Sequence, residues 1–261
     1  MTAPGTLMID AGNSRIKWVV TGPTGWLEGP PLIAGLPLDA ELNRHWGSLR
    51  VPKAVALSCV AGRPVREAIV NWVLSRWGLE VFEARSQASE AGLRSGYRDP
   101  GQLGADRWLV LLGALKRYPG PALVVDLGTA ISLDLVDRQG QHRGGYLLPG
   151  RRLMRSRLVE GAAGVIVAEG AEPFRKGPGQ STAEALSAGV LFAVRGAIET
   201  IYVQSCEELG ETPQLILTGG DASWVAEHLG VPAQVDEALL FEGLWLHTAG
   251  VVGSNPTPPT I

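Results

Sequence analysis

Short apolar runs closed by glycine- or proline-bearing turns alternate along the chain with longer stretches of helical spacing. Thr6-Leu7-Met8-Ile9 ends at Asp10-Ala11-Gly12-Asn13-Ser14, and Ile16-Lys17-Trp18-Val19-Val20 resumes in strand-like composition. This predicts strand, turn, strand, with the next turn at Gly22-Pro23-Thr24-Gly25. Leu27 to Leu38, rich in proline and glycine, reads as an edge strand and loop, and Ala54-Val55-Ala56-Leu57-Ser58 as a short buried strand. Val65, Ile69, Val73 and Trp77 recur at four-residue steps, predicting an amphipathic helix that starts near Pro64. Leu79 to Phe82 is another short strand, and a helix runs from the Leu103 to Trp108 stretch to about Lys116. Tyr118-Pro119-Gly120-Pro121 then breaks the pattern and marks a domain boundary.

Beyond it, Ala122-Leu123-Val124-Val125 leads into Asp126-Leu127-Gly128-Thr129, and Ile131 to Val136 continues as an alternating strand before the turn Asp137 to Gly140. Gly144 to Gly150 reads as a strand closed by turn residues, Leu153 to Val159 as a helix, and Gly161 to Gly179 as loop. Ala185, Leu186, Val190, Ala193, Val194, Ala197, Ile198 and Ile201 keep helical spacing, so Thr182 to Leu209 is a major core helix. Leu215 to Leu217 is a strand, while Ala222 to Leu229 and Glu237 to Ala249 are helices. Residues 254–261 have nothing to pack with and read as a disordered tail. Leu7 to Asn13 can be laid over Leu123 to Thr129, an offset of 126 − 10 = 116 residues, which suggests a duplicated domain. The expected organisation is therefore a first domain over 1–118 and a second over 119–253.

Composition changes this picture little. The 45% apolar and 19% charged residues are ordinary for a soluble globular protein, and a formal charge of −3 leaves no electrostatic footprint for nucleic acid or an anionic membrane. Cys59 and Cys206 have no metal or redox spacing and read as reduced thiols of a cytoplasmic protein. Met1 to Met8 has no secretory pattern, and no apolar stretch approaches the length of a membrane span.

Six stretches carry candidate chemistry. Asp10 to Lys17 places a carboxylate, a glycine, Asn13, Ser14 and a lysine on one hairpin, which suits phosphate contacts and hydrated magnesium, or ordinary turn chemistry. Asp126-Leu127-Gly128-Thr129 has the same two readings, and the pair together would clamp a nucleotide between the halves. Thr218-Gly219-Gly220-Asp221 suits a flat ring lying on the backbone, or a tight turn with Asp221 capping a helix. Asp106-Arg107 suits a proton acceptor beside an anion-binding guanidinium, or a surface ion pair. Ser181-Thr182-Ala183-Glu184 is a capping box that leaves Thr182 facing outward at a helix start. Arg151, Arg152, Arg155 and Arg157 crowd one short helix, as a solvated face or as an anion or subunit contact. His45, His142, His228 and His247 share no metal spacing.

Taken in order and at these intervals, the blocks resemble the type III pantothenate kinases, a family that includes the Bvg accessory factor-like proteins. The resemblance rests on Asp10 to Lys17, Tyr97 with Pro100 and Leu103-Gly104-Ala105-Asp106-Arg107-Trp108, Val125 to Thr129, Gly144 to Gly150, Ser181-Thr182 with Glu184-Ala185, and Thr218-Gly219-Gly220. Gly104 to Arg107 is the most diagnostic block, and Ser14 stands where threonine is usual.

The resemblance implies an α/β fold of two ribonuclease H-like (actin-like ATPase) domains with a nucleotide cleft between them, in a homodimer. It implies ATP contacts from Asp10, Ala11, Gly12, Asn13, Ser14, Arg15, Ile16, Lys17 and Thr129, with Mg2+ accompanying ATP. Asp126 would help bind K+ or NH4+. Tyr97, Gly104, Ala105, Asp106, Arg107 and Thr182 would bind pantothenate, Thr182 reaching the neighbouring subunit's site, and Asp106 would accept the proton. The activity implied is ATP-dependent formation of 4′-phosphopantothenate, the first step toward coenzyme A. A kinase for another small alcohol, and a nucleotide-binding regulator without turnover, are the alternatives.

Overall fold

In the computed structural model, residues 5–22, 25–33, 37–162 and 177–252 are described. The expected disordered tail at 254–261 and most of the expected loop from Gly161 to Gly179 lie outside them. The elements are β1 (Thr6–Ala11), β2 (Arg15–Gly22), β3 (Gly25–Glu28), β4 (Leu32–Ile33), α1 (Leu38–Trp46), β5 (Ala54–Cys59), α2 (Arg63–Trp77), β6 (Val81–Glu83), β7 (Ser89–Glu90) and β8 (Leu93–Arg94). A 3-10 turn, Pro100–Gln102, precedes α3 (Ala105–Arg117). Then come β9 (Ala122–Leu127), β10 (Ala130–Val136), β11 (His142–Pro149), α4 (Arg151–Gly161), α5 (Thr182–Leu209), β12 (Gln214–Thr218), α6 (Ala222–Ala226), β13 (Gln234–Val235) and α7 (Leu239–Val252).

The chain forms two compact units, one running through Pro119 and taking in α7, the other spanning Gly120–Glu237. In the first, the strand order is β3-β2-β1-β5-β6, with β2 antiparallel and β5 parallel to β1. In the second, it is β11-β10-β9-β12-β13, with β10 antiparallel and β12 parallel to β9. The two sheets therefore repeat one topology, with β1 and β9 in the same central place. Both are six-residue strands buried at every position except the fifth, Asp10 and Asp126. Such near-continuous apolar runs belong to strands covered on both faces.

In the first unit, Leu7, Ile9, Ala11, Leu57 and Trp18 pack against Leu42 and Trp46 of α1 and Ile69, Trp72 and Val73 of α2. Trp18, Trp46, Trp72 and Trp77 continue through this core as edge-on pairs with centroids 6.3, 5.8 and 4.9 Å apart. Against the same sheet lie α3 and α7, which meet backbone to backbone. A Cβ on Gly113 would overlap the Leu239 carbonyl, and one on Gly243 the backbone of Leu109, so only glycine permits this approach. In the second unit, Leu123, Val125, Leu133 and Leu217 pack against Val194, Ile198 and Ile201 of α5 and Val225 of α6.

Four readings of the sequence change. The last helix was expected in the second half, but α7 completes the first unit. α1 begins at Leu38, where the expected loop ends, over residues to which the sequence assigned no element, and the small strands β7, β8 and β13 were not foreseen. Asp221 makes no capping hydrogen bond to α6, which is also three residues shorter than expected. Finally, α5 is long and apolar enough by length and composition to cross a membrane, although its inner face belongs to the core of the second unit.

Candidate active site

The first hairpin is closed by Gly12, whose N–H donates to the Arg15 carbonyl at 3.0 Å. Asn13, Ser14 and Arg15 are exposed at its tip, and Asp10 and Lys17 are paired across β1 and β2, so both project from one face. Ala11 and Ile16 are buried in the first core, which leaves their main chain as the part able to meet a ligand. On its other side Asp10 pairs with Ser58 of β5. Ser58 is fully buried and its Oγ has no hydrogen-bond partner, a condition that costs about 1–3 kcal/mol when no water or ligand relieves it. Burial, with the nearby carboxylates of Glu83 and Asp10, raises the pKa of the adjacent Cys59 thiol, which rules against a thiolate nucleophile there.

Further along the same unit, the Asp99 carboxylate accepts from the Gly101 N–H at 3.0 Å and starts the 3-10 turn that leads into α3. Asp106 lies in the first turn of α3, where its Oδ1 accepts the Arg107 N–H at 2.8 Å. The carboxylate folds back over Gly104, whose Cβ, if present, would sit 2.5 Å from Asp106 Oδ1. A side chain at position 104 would therefore displace the Asp106 carboxylate from this position. Arg107 is only 8% exposed, and its Nη1 donates to the Tyr97 hydroxyl at 2.8 Å. Tyr97, Gly104, Asp106 and Arg107 thus lie together in one cluster. A half-buried carboxylate beside a held guanidinium can accept a hydroxyl proton and bind a small anion.

Behind the cluster lies a network that the sequence did not signal. Trp108 donates its indole N–H to Glu90 Oε2 at 2.9 Å, and His247 Nδ1 contacts the same oxygen at 2.7 Å. Because His247 Nε2 accepts the Arg85 N–H at 3.4 Å, Nδ1 is the ring nitrogen that donates to Glu90. Burial pushes the Glu90 pKa up, but the hydrogen bonds from His247 and Trp108 outweigh it and hold it below the usual value. The network joins β7, α3 and α7. No local periodicity could have found it, since its members are 157 residues apart in sequence.

In the second unit the hairpin is tighter, Gly128 N–H donating to the Ala130 carbonyl at 3.0 Å with Thr129 exposed at the tip. Asp126 pairs with Ser132 on β10 and Thr218 on β12. Gly219, at φ +90°, lies against it so closely that a Cβ would overlap the Asp126 carboxylate and the Leu127 main chain. Asp221 instead accepts from Arg151 Nη2 at 2.9 Å, and the same guanidinium stacks 4.5 Å from the Trp224 ring centroid. The arginine-rich helix is therefore divided in role. Arg151 and Arg155 are held, the latter by Ser187, whereas Arg157 makes an exposed pair with Glu160. The expected capping box is present, with Glu184 N–H donating to Ser181 Oγ at 3.2 Å. The Glu184 carboxylate reaches one residue further back than predicted, to the Gln180 N–H. Thr182 is exposed at the start of α5. Among the described residues no cluster of His, Cys, Asp and Glu could hold a metal without other donors, and both cysteines are free.

A family model described as type III pantothenate kinase matches residues 6–204. A type III pantothenate kinase from Nitrosomonas eutropha is 34% identical over 244 residues, covering 91% of this chain and 92% of its own. Its counterpart from Nitrosospira multiformis is 36% identical over 242 residues, covering 92% and 90%. Among solved structures, a protein described as a Baf family transcriptional activator from Campylobacter jejuni has a TM-score of 0.56 at 21% identity, covering 95% of this chain and all of that one. One described as a 2-dehydro-3-deoxygalactonokinase from Sinorhizobium meliloti has a TM-score of 0.56 at 14% identity, covering 94% and 99%. These two likenesses concern the fold alone.

Proposed function

The chain belongs to the type III pantothenate kinase family, and we propose that it transfers the γ-phosphate of ATP to pantothenate, the first step of coenzyme A biosynthesis. The observation that carries this reading is the Gly104 to Arg107 block. Asp106, folded over Gly104, accepts the proton of the attacking primary hydroxyl, and Arg107, held by Tyr97, binds the substrate carboxylate. Thr182 completes the pantothenate site from the neighbouring subunit.

ATP lies on the Asp10 to Lys17 hairpin and Thr129. Asn13 and Ser14 donate to phosphate oxygens, and Arg15 and Lys17 supply positive charge. Asp10 and the unpartnered Ser58 hydroxyl fit a hydrated divalent ion, which binds through one carboxylate, phosphates and waters. Magnesium, when bound, neutralises charge on the transferring phosphate. Asp126, whose register partners are the hydroxyl residues Ser132 and Thr218, has the oxygen donors a potassium or ammonium ion takes.

A homodimer in the cytoplasm is part of the same reading. α5 turns Phe192, 55% exposed, and Val203, 54% exposed, outward along with Gly189 and Gly196, and this face supports a subunit contact. Light scattering on Phe192→Glu and Val203→Glu is expected to show monomers. The activity is tested by incubating purified protein with ATP, magnesium and pantothenate in potassium or sodium. Formation of 4′-phosphopantothenate is expected, with more in potassium. No product under any condition would overturn the kinase reading in favour of nucleotide binding without turnover.

A further inference from the structure

Ser58 presents a buried polar group that the fold leaves without a partner. It is the fifth residue of β5, fully buried, and its hydroxyl has no partner, although it pairs in register with Asp10 and so shares a face with that carboxylate. Neighbouring polar side chains are accounted for differently. Arg66 is bound through two nitrogens to Glu83, at 2.7 and 2.5 Å, and Cys59 points its sulfur 4.0 Å from the Gly62 carbonyl. A buried hydroxyl left without a partner is either a standing cost or a place kept for something that arrives with a ligand.

The chemistry at Asp10 distinguishes these. A carboxylate only accepts hydrogen bonds, and the waters of a hydrated divalent cation donate them. A serine hydroxyl does both at once, so it can accept from a metal-bound water while donating to the carboxylate. The second unit keeps a buried hydroxyl residue, Thr218, at the corresponding register beside Asp126.

We propose that Ser58 is a positioning residue for the metal–nucleotide complex, bridging a metal-bound water and the Asp10 carboxylate. This rests on the reading that Asp10 receives the divalent ion carried with ATP. Ser58 does not touch the reacting atoms. Its effect is on the orientation of Asp10 and hence on metal affinity.

The test measures Mn2+ binding by electron paramagnetic resonance, with a non-hydrolysable ATP analogue present, for the full-length protein and for Ser58→Ala, Ser58→Thr and Asp10→Asn. Melting temperatures are measured with and without metal–nucleotide. Ser58→Ala is expected to weaken Mn2+ roughly tenfold, the lower end of what loss of a group supporting a metal ligand costs. Its ligand-free melting temperature is expected to stay level or rise, because an unsatisfied group has been removed. Ser58→Thr is expected to restore most of the metal affinity. Unchanged Mn2+ affinity in Ser58→Ala, with weakening in Asp10→Asn, would overturn the role of Ser58 alone. Unchanged affinity in Asp10→Asn would overturn the metal reading and this inference with it. A loss of ligand-free stability in Ser58→Ala equal to the loss with ligand would make Ser58 a packing residue and also overturn it.

Discussion

Asp10 and Asp126 occupy the same position on the central strands of two sheets with one topology, but Asp10 pairs with Lys17 and Ser58 while Asp126 pairs with Ser132 and Thr218. The hairpins beyond them differ too. The first carries Asn13, Ser14 and Arg15 at its tip, whereas the second is one residue shorter and offers Thr129. The repeated scaffold thus carries unequal charge: a lysine and one hydroxyl flank the first aspartate, and two hydroxyls flank the second. The first arrangement suits a polyphosphate with its divalent ion, and the second suits a monovalent cation, so the repeat supplies position while the neighbours of each aspartate supply specificity.

Substitutions can break that division at successively smaller cost. Asp106→Asn, which removes the proposed proton acceptor from the first unit, is expected to lower kcat about 10³-fold, within the range for general base catalysis. Its circular dichroism should match the parent, and unchanged turnover would remove Asp106 from this role. Asp10→Asn and Asp126→Asn separate the two aspartates. The first should lower kcat/KM for ATP about 10²-fold in either salt. The second should abolish the difference between potassium and sodium, and equal behaviour of the two variants in a salt titration would refute the division of labour.

Gly243→Ala tests the backbone contact peculiar to the first unit. Forcing α7 from Leu109 should destabilise that unit by roughly 1–3 kcal/mol, seen in urea unfolding followed by tryptophan fluorescence. Glu90→Gln should have the smallest effect, about 1 kcal/mol at neutral pH. Glu90 has a lowered pKa when folded, so its contribution is fully present above its ordinary value near 4.5 and is lost as pH falls through the lower folded value. The gap between parent and variant should therefore close in strong acid. A gap independent of pH would show that Glu90 acts through packing alone.

Much of this architecture was legible from the sequence, for identifiable reasons. The two hairpins could be matched because each follows an apolar strand and opens with Asp-x-Gly, both purely local signals. Helices α2, α3 and α5 were legible from apolar spacing over many residues. α1 was not, because Asp39, Glu41, Asn43, Arg44 and His45 crowd its nine residues and only Leu42 and Trp46 are buried apolar anchors. The place of α7 was illegible for a different reason. Spacing reports that a helix has an apolar face, but not which sheet receives it. At the site, the Tyr97 to Arg107 cluster lay within one short segment and could be anticipated, whereas the pairing of Asp221 with Arg151 could not, because the two are 70 residues apart. Ser58 was seen only as a strand residue, since a missing hydrogen bond leaves no trace in composition.

The position of α7 has a consequence for how the molecule is made. The second unit is continuous in the chain, while the first receives its closing helix only after the whole of the second has been synthesised. During translation Leu109 and Gly113 of α3 have no α7 to pack against until residues beyond Glu237 have been made. The first unit therefore cannot complete its core until the chain beyond Glu237 has been made, whereas the second unit is continuous and needs no later segment.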